Sequence, residues 1–83
     1  MAAPDFALDA IKRSENYQRM LTKATKAVLK EVGGKVTIDR LVNRVSNNYG
    51  IDRVVVHTAI SRLLRNRQLR AVKPDLVAKD HQQ

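Results

Sequence analysis

Apolar residues recur with the period of an α-helix in three separate stretches of the chain. In the first stretch, from about Asp5 to Val32, they fall within a narrow arc at 100° per residue. These positions are Phe6, Ala10, Tyr17, Leu21, Ala24 and Val28. The tripeptide Ser14-Glu15-Asn16 could restart the helix, so one long helix and a short helix followed by a long one both fit. We expect Gly33-Gly34 to end this stretch through a left-handed exit.

A second, shorter helix is predicted after a connection that is either a brief strand or a linker, Lys35-Val36-Thr37. Thr37 is a candidate N-cap, because its hydroxyl can satisfy an orphan backbone N–H. We expect Gly50 to stop this helix. Its apolar face consists of Ile38, Leu41, Val42, Val45 and Tyr49.

A third helix is predicted to begin at the N-cap residue Asp52 and to run to about Arg67. Ile51 precedes the cap and Val56 occupies the fourth helical position, which is the arrangement of a hydrophobic staple. The predicted core face consists of Val56, Ala59, Ile60, Leu63 and Leu64.

The remaining residues predict a small β-hairpin. Leu69–Val72 is typical of a short strand, Lys73-Pro74-Asp75 of a turn, and Leu76–Lys79 of the returning strand. A short C-terminal helix that starts near Pro74 is the alternative. The predicted fold class is therefore mainly α with a small β-hairpin, in a single domain over residues 1–83. Residues 1–13 would form an N-terminal extension or arm, residues 14–80 the core, and residues 81–83 a frayed tail.

Composition limits the possible functions of such a domain. A chain of 83 residues has a small core, and without cysteine it has neither a disulfide nor a thiolate metal site to supplement it. The N-terminal residues lack the pattern of a secretory signal, and the apolar runs are far shorter than the ~20 residues that cross a bilayer. We expect a soluble protein without a membrane partner, cytoplasmic or nucleoid-associated, or nuclear in a eukaryote.

The charge balance indicates a polyanionic partner. Sixteen Lys and Arg residues oppose eight Asp and Glu residues, so the net charge is +8. The stretch between Asp52 and Asp75 contains no acidic residue, which is what repeated contact with phosphate groups requires. We name its six cations the basic tract: Arg53, Arg62, Arg65, Arg67, Arg70 and Lys73.

The predicted second helix, the tight turn at Gly50-Ile51 and the capped third helix make a helix-turn-helix arrangement. Gly50 to Val72 resembles the recognition helix and first wing strand of winged helix-turn-helix proteins, and the resemblance extends over about residues 35–79. It is carried by Gly50-Ile51 before the Asp52 cap, by Val56, Ile60 and Leu63-Leu64, and by the basic exit into an apolar strand at Leu69. Gln68 stands where the family usually has a small residue.

The resemblance implies a three-helix winged helix-turn-helix with an extended N-terminal helix. It implies a recognition helix in the major groove of double-stranded DNA and a hairpin at the backbone or minor groove. The function implied by this resemblance is that of a transcriptional regulator or a small DNA-organising protein. The alternative is a protein-interaction module of the same fold that binds a polymerase or another DNA-binding protein.

The third helix presents a contact face opposite its core, where Thr58, Ser61 and Arg62 are the best candidates for base edges. Further along, Arg65, Arg67, Arg70 and Lys73 are predicted to meet phosphate or line the wing. Arg53, Val54 and His57 complete the predicted DNA-binding set. Val54 and Val55 would either contact thymine methyl groups or pack on the second helix or a partner.

Two features of the first helix lie off its core stripe. Lys12, Arg19, Lys23, Lys26 and Lys30 share its back, either as a site for a second DNA segment or as an ordinary solvated face. Leu8 and Ile11, next to Phe6, would form a homodimer surface, or residues 1–13 would be a flexible arm.

Residues for other chemistry are few. His57 and Ser61 lie one helical turn apart but have no orienting third group, and two distant histidines do not make a metal site. We therefore expect no enzyme, no cofactor and no small-molecule ligand. Phe6, Tyr17 and Tyr49 are all predicted in the core, which leaves no aromatic platform for single-stranded RNA.

Overall fold

The structure, a computed structural model, describes the backbone of residues 3–80 and the side chains of residues 15–80. The described chain contains three helices and a three-stranded antiparallel sheet, in the order helix-strand-helix-helix-strand-strand. Their bounds are α1 Ala3–Glu31, β1 Val36–Thr37, α2 Ile38–Tyr49, α3 Arg53–Arg65, β2 Leu69–Lys73 and β3 Leu76–Lys79. The fold class predicted from the sequence, mainly α with a small hairpin, is confirmed.

α1 is one continuous helix, so Ser14-Glu15-Asn16 does not interrupt it. Leu21, Ala24 and Val28 are buried, as their spacing predicts. Tyr17 was expected in the core and is not: 39% of it is exposed, because it lies one turn before Leu21, the first buried side chain among residues 15–80. The predicted positions at Phe6 and Ala10 lie outside the described side chains.

The end of α1 differs from expectation. Val32 still donates to the Val28 carbonyl (3.0 Å) and is buried, but neither Gly33 nor Gly34 has a positive φ. The predicted left-handed exit is therefore wrong. The low helix propensity of two successive glycines is enough to end the helix there.

α2 and α3 begin at the predicted caps. The Thr37 hydroxyl accepts from the Arg40 N–H (3.2 Å), and the Asp52 carboxylate accepts from the Val54 N–H (2.9 Å). Gly50 ends α2 at φ 64° and ψ 38°, a backbone conformation that favours glycine. This residue fixes the turn that leads into α3.

α3 ends two residues earlier than predicted, because the chain turns at Arg67. Arg67 donates its N–H to the Leu64 carbonyl (3.2 Å) and Gln68 to the Leu63 carbonyl (2.9 Å). These two bonds form a Schellman motif, which requires a left-handed residue. Arg67 takes that conformation with φ 64°, where glycine is the usual occupant.

Residues 69–79 form a hairpin and not a C-terminal helix. β3 lies in the centre of the sheet, with β1 on one side and β2 on the other. The β2–β3 register runs from Leu69 opposite Lys79 to Lys73 opposite Leu76, with an irregularity between Ala71 and Lys73. Val36–Thr37 is thus a strand, and the Ile38 N–H also donates to the Asp75 carbonyl (2.8 Å) at the hairpin tip.

One hydrophobic core joins all six elements. Leu41, Val42 and Val45 of α2 are fully buried, whereas Ile38 and Tyr49 at its two ends are half-buried and pack against the core. Both staple residues of α3, Ile51 and Val56, are buried. Its other buried side chains are Val55, Ala59, Ile60 and Leu63, while Leu64 is half-buried.

Candidate nucleic-acid interface

The face of α3 that points away from the core is exposed. His57, Ser61, Arg62 and Arg65 are all exposed, and 69% of Val54 is accessible. Because Asp52 caps the first turn and the staple holds the entry of the helix, this face has a fixed orientation relative to the core. We call this surface the α3 face.

Thr58 differs from the other predicted base-contacting residues. It is half-buried, and its hydroxyl donates to the Val54 carbonyl one turn earlier (3.0 Å). The hydroxyl proton is therefore used within the helix, and only the lone pairs of the oxygen remain for an outside group. Ser61 and Arg62 remain the exposed donors.

The two valines at the start of α3 separate into different environments. Val55 is 6% exposed and belongs to the core, so its predicted packing role is confirmed and a role in contacting a ligand is wrong. Val54, only one residue earlier along the helix, points outward and remains available for an apolar contact.

Arg53 joins α3 to α2. Its guanidinium lies 3.5 Å from the Asp39 carboxylate and donates to the Asn43 side-chain oxygen. Both charged groups are largely exposed, so the pair contributes little to stability, but Asp39 offsets the charge of Arg53. The sequence indicated no role for Asp39 and Asn43, since their contact depends on how α2 packs against α3.

The other five cations of the basic tract continue from α3 into the hairpin. Arg62 and Arg65 lie on the last turn of α3, Arg67 at the corner, and Arg70 and Lys73 on β2. All five are exposed. Within residues 15–80 the Arg53–Asp39 pair is the only salt bridge, so no described acid neutralises these five.

Acidic residues lie only at the borders of this surface. Asp52 caps α3, Asp39 in the first turn of α2 contacts Arg53, and Asp75 and Asp80 lie at the two ends of β3. The exposed cations of α3 and of β2 therefore follow one another along the chain with acidic residues only before α3, at the hairpin turn and after β3.

A depression of about 390 Å³ lies elsewhere, between the α1–β1 loop and α2. Lys35, Arg40 and Arg44 line it together with Glu31. The mixed charge of its lining distinguishes this depression from the α3 face. The Glu31 carboxylate already accepts a hydrogen bond from the Tyr49 hydroxyl (3.1 Å).

The His57–Ser61 pair and a metal site were the two other kinds of site considered from the sequence. His57 and Ser61 are not hydrogen-bonded to each other, and residues 15–80 contain no group of three or more His, Asp or Glu side chains that could hold a metal ion. Of the helices described, none is long and apolar enough to cross a membrane.

Comparison of the chain with protein-family models, curated proteins and solved structures finds no match.

Proposed function

We propose that this protein is a winged helix-turn-helix protein that binds double-stranded DNA. The α3 face enters the major groove, and the β2–β3 hairpin acts as a wing against the phosphate backbone or the minor groove. The protein would regulate transcription or organise DNA, in the cytoplasm or nucleoid, or in the nucleus of a eukaryote.

One observation carries this proposal: five exposed cations run without an intervening acid from the last turn of α3 onto the hairpin. A solvated helix face usually mixes the two signs, because opposite charges one turn apart stabilise it. A surface that meets phosphate repeatedly excludes acids. The five cations are Arg62, Arg65, Arg67, Arg70 and Lys73.

The architecture supports the same proposal. A tight turn at Gly50 joins α2 to a capped α3, which is the helix-turn-helix order, and an antiparallel hairpin follows directly. The bond from Ile38 to the Asp75 carbonyl ties the hairpin tip to the start of α2. The hairpin is thereby held against α2, the first helix of the helix-turn-helix.

A homodimer through the N-terminal part of α1 is the second element of the proposal. The predicted contact residues Phe6, Leu8 and Ile11 lie outside the described side chains. Support comes from the next two turns, where Tyr17 and Met20 are each 39% exposed on a helix that has not yet reached the core. At 100° per residue they continue the side of α1 that Phe6 occupies, and not the side of Leu8 and Ile11. Such half-exposed large side chains suit a partner helix.

Val54 supports a second candidate function, a protein-interaction module of the same fold. An aliphatic side chain 69% exposed in the middle of a polar surface can contact a thymine methyl group or an apolar spot on a partner protein. The contact residues expected from the sequence for such a module are Val54, Val55, Leu8 and Ile11, and the burial of Val55 removes it from this set.

The test is duplex binding by R62A/R65A over a range of salt concentrations. If all five cations meet phosphate, log K of the wild type falls against log[salt] with a slope of about −4.5. Removing two contacts should change that slope by about 2 and weaken binding at low salt by tenfold or more. Fluorescence anisotropy with a short duplex measures both.

The matched control is K35A/R44A, which removes two exposed cations from the depression beside α2 and leaves the α3 face intact. It should bind within about threefold of the wild type. Equal losses in the two variants would contradict a defined interface. No binding of duplex by the wild type at low salt would contradict the DNA proposal and favour the protein-interaction module.

A further inference from the structure

We propose that the back of α1 is a second duplex-binding surface, so that one domain bridges two DNA segments. This inference rests on the proposed function, because the first segment is the one bound at the α3 face. It adds a second site whose residues are distinct from those of the first.

The surface consists of four exposed cations, Arg19, Lys23, Lys26 and Lys30, which we call the α1 ridge. They follow one another at one-turn intervals and span about 16 Å along the helix axis. A shallow depression of about 440 Å³ runs along the ridge and is lined by three of these cations together with Gln18 and Thr22. Lys12, predicted to extend the ridge, lies outside the described side chains.

The ridge has no acidic residue between its members. Within residues 15–31, the acids of α1 are Glu15 and Glu31, one at each end. Glu31 faces α2, where its carboxylate accepts a hydrogen bond from the Tyr49 hydroxyl. Arg19 with Lys23, and Lys26 with Lys30, are like-charge pairs one turn apart, an arrangement that destabilises a helix unless an anion lies across it.

The ridge and the α3 face lie on opposite sides of the domain. At 100° per residue, the mean direction of the ridge is about 160° from the stripe formed by Leu21, Ala24 and Val28. That stripe is buried in the core that α1 shares with α3. Since α3 also turns its apolar side to this core, the two basic surfaces point away from each other.

A single short duplex cannot reach both surfaces. DNA is stiff over about 150 base pairs, so a segment held at the α3 face does not fold back across the domain to the ridge. Over the ~16 Å length of the ridge a duplex presents about ten phosphates on its two strands, which is ample for four cations. The geometry therefore suits two separate segments.

Phosphates of duplex DNA fit the ridge better than a lipid surface does. A helix that lies on a membrane inserts an apolar face between the headgroups. The apolar side of α1 is occupied by the core from Leu21 onwards, and the ridge is flanked by the polar Gln18 and Thr22.

The test separates binding of one duplex from bridging of two. Duplexes of about 15 base pairs, roughly 50 Å long, are too stiff to bend around one domain and contact both of its surfaces. A biotinylated duplex on beads, incubated with the protein, should retain a second, fluorescent duplex. R19Q/K23Q/K26Q/K30Q should lose retention at least tenfold but bind one duplex within about threefold of the wild type.

K35Q/R40Q/R44Q/N47D is the control, since it also lowers the net charge from +8 to +4 but leaves the ridge, the α3 face and the hairpin intact. It should bridge like the wild type. Bridging by the ridge variant at the wild-type level would overturn the inference, because the bridge would then come from a dimer with two α3 faces.

Two further outcomes also decide against the ridge. A wild type that binds one duplex but retains no second one refutes the ridge and leaves the proposed function intact. A ridge variant that still bridges but no longer binds phosphatidylglycerol–phosphatidylcholine vesicles assigns the ridge to a membrane surface. A wild type that binds no duplex at all refutes the proposed function itself.

Discussion

At the scale of the residue, Arg67 carries the most unusual backbone conformation in the described chain. It is the only non-glycine residue there with a positive φ, and it completes the Schellman motif that turns α3 into β2. An L-residue other than glycine costs about 1–2 kcal/mol in this region. Glycine would fit this backbone conformation better, whereas the arginine adds a cation to the proposed interface.

R67G should therefore stabilise the protein while removing one cation. The free energy of unfolding is expected to rise by about 0.5–1 kcal/mol, since the relief of strain exceeds the extra backbone entropy of glycine. Urea unfolding measures this difference. The control is R65G, two residues earlier in helical conformation, which should destabilise by about 0.5–1 kcal/mol. Equal destabilisation in both variants would show that Arg67 is not strained.

At the scale of the element, one side-chain bond links the C-terminal ends of α1 and α2. The Tyr49 hydroxyl donates to Glu31 at 3.1 Å. Burial, and then the hydrogen bond and the negative charge of Glu31, raise the pKa of Tyr49 above its ordinary value of 10.0. The link therefore depends on a protonated tyrosine.

Y49F should remove a pH dependence that the wild type has in alkali. Because the folded pKa of Tyr49 is raised, the stabilisation is complete below pH 10 and is lost as the pH rises through the folded pKa. Above pH 10 the melting temperature of the wild type should fall more steeply than that of Y49F. Circular dichroism on both sides of pH 10 measures the two slopes.

Y17F is the control, since the Tyr17 hydroxyl makes no hydrogen bond within the described residues. It should follow the wild type across the alkaline range. Parallel slopes for the wild type and Y49F would contradict the coupling between Tyr49 and Glu31.

Most elements could be predicted from the sequence because their signals are local. Periodic apolar positions predicted the cores of α1, α2 and α3, and single residues such as Thr37 and Asp52 predicted where helices begin. The ends were less predictable. The glycines after α1 take no left-handed conformation and Arg67 does, because helix exits depend on where the following strand must go.

The sequence predicted which helix face carries the candidate site, but not which side chains of the site contact other residues. Helical periodicity identified the exposed cations. The burial of Val55 depends on tertiary packing, and the pairing of Arg53 with Asp39 depends on the packing of α2 on α3. Tyr17 shows the reverse case. Its spacing matches the core stripe, but α1 continues beyond the elements that would cover it.

At the scale of the whole molecule, the long α1 is the feature that the compact part of the domain does not explain. It has 29 residues, and its first buried side chain among residues 15–80 is Leu21. The proposed dimer would use the part before that position. L8E/I11E should then shift the sedimentation mass from about twice 9.4 kDa to 9.4 kDa, since buried like charges oppose association.

N47E/N48E adds the same two charges at exposed positions of α2, away from the N-terminal part of α1, and should leave the dimer intact. A monomeric wild type would exclude the dimer. A dimer that survives L8E/I11E would exclude this surface as the contact.

The position of β2 in the sheet has a consequence for the state of the protein in a crowded cell. β2 is an edge strand, and its outer row of backbone N–H and C=O groups is open to pairing with another chain. Arg70, Lys73 and the irregularity next to Val72 are the devices by which natural edge strands prevent aggregation. The same two side chains, Arg70 and Lys73, thus protect the edge of the sheet and belong to the proposed phosphate-contacting set, so neutralising them is expected to lower both solubility and duplex binding.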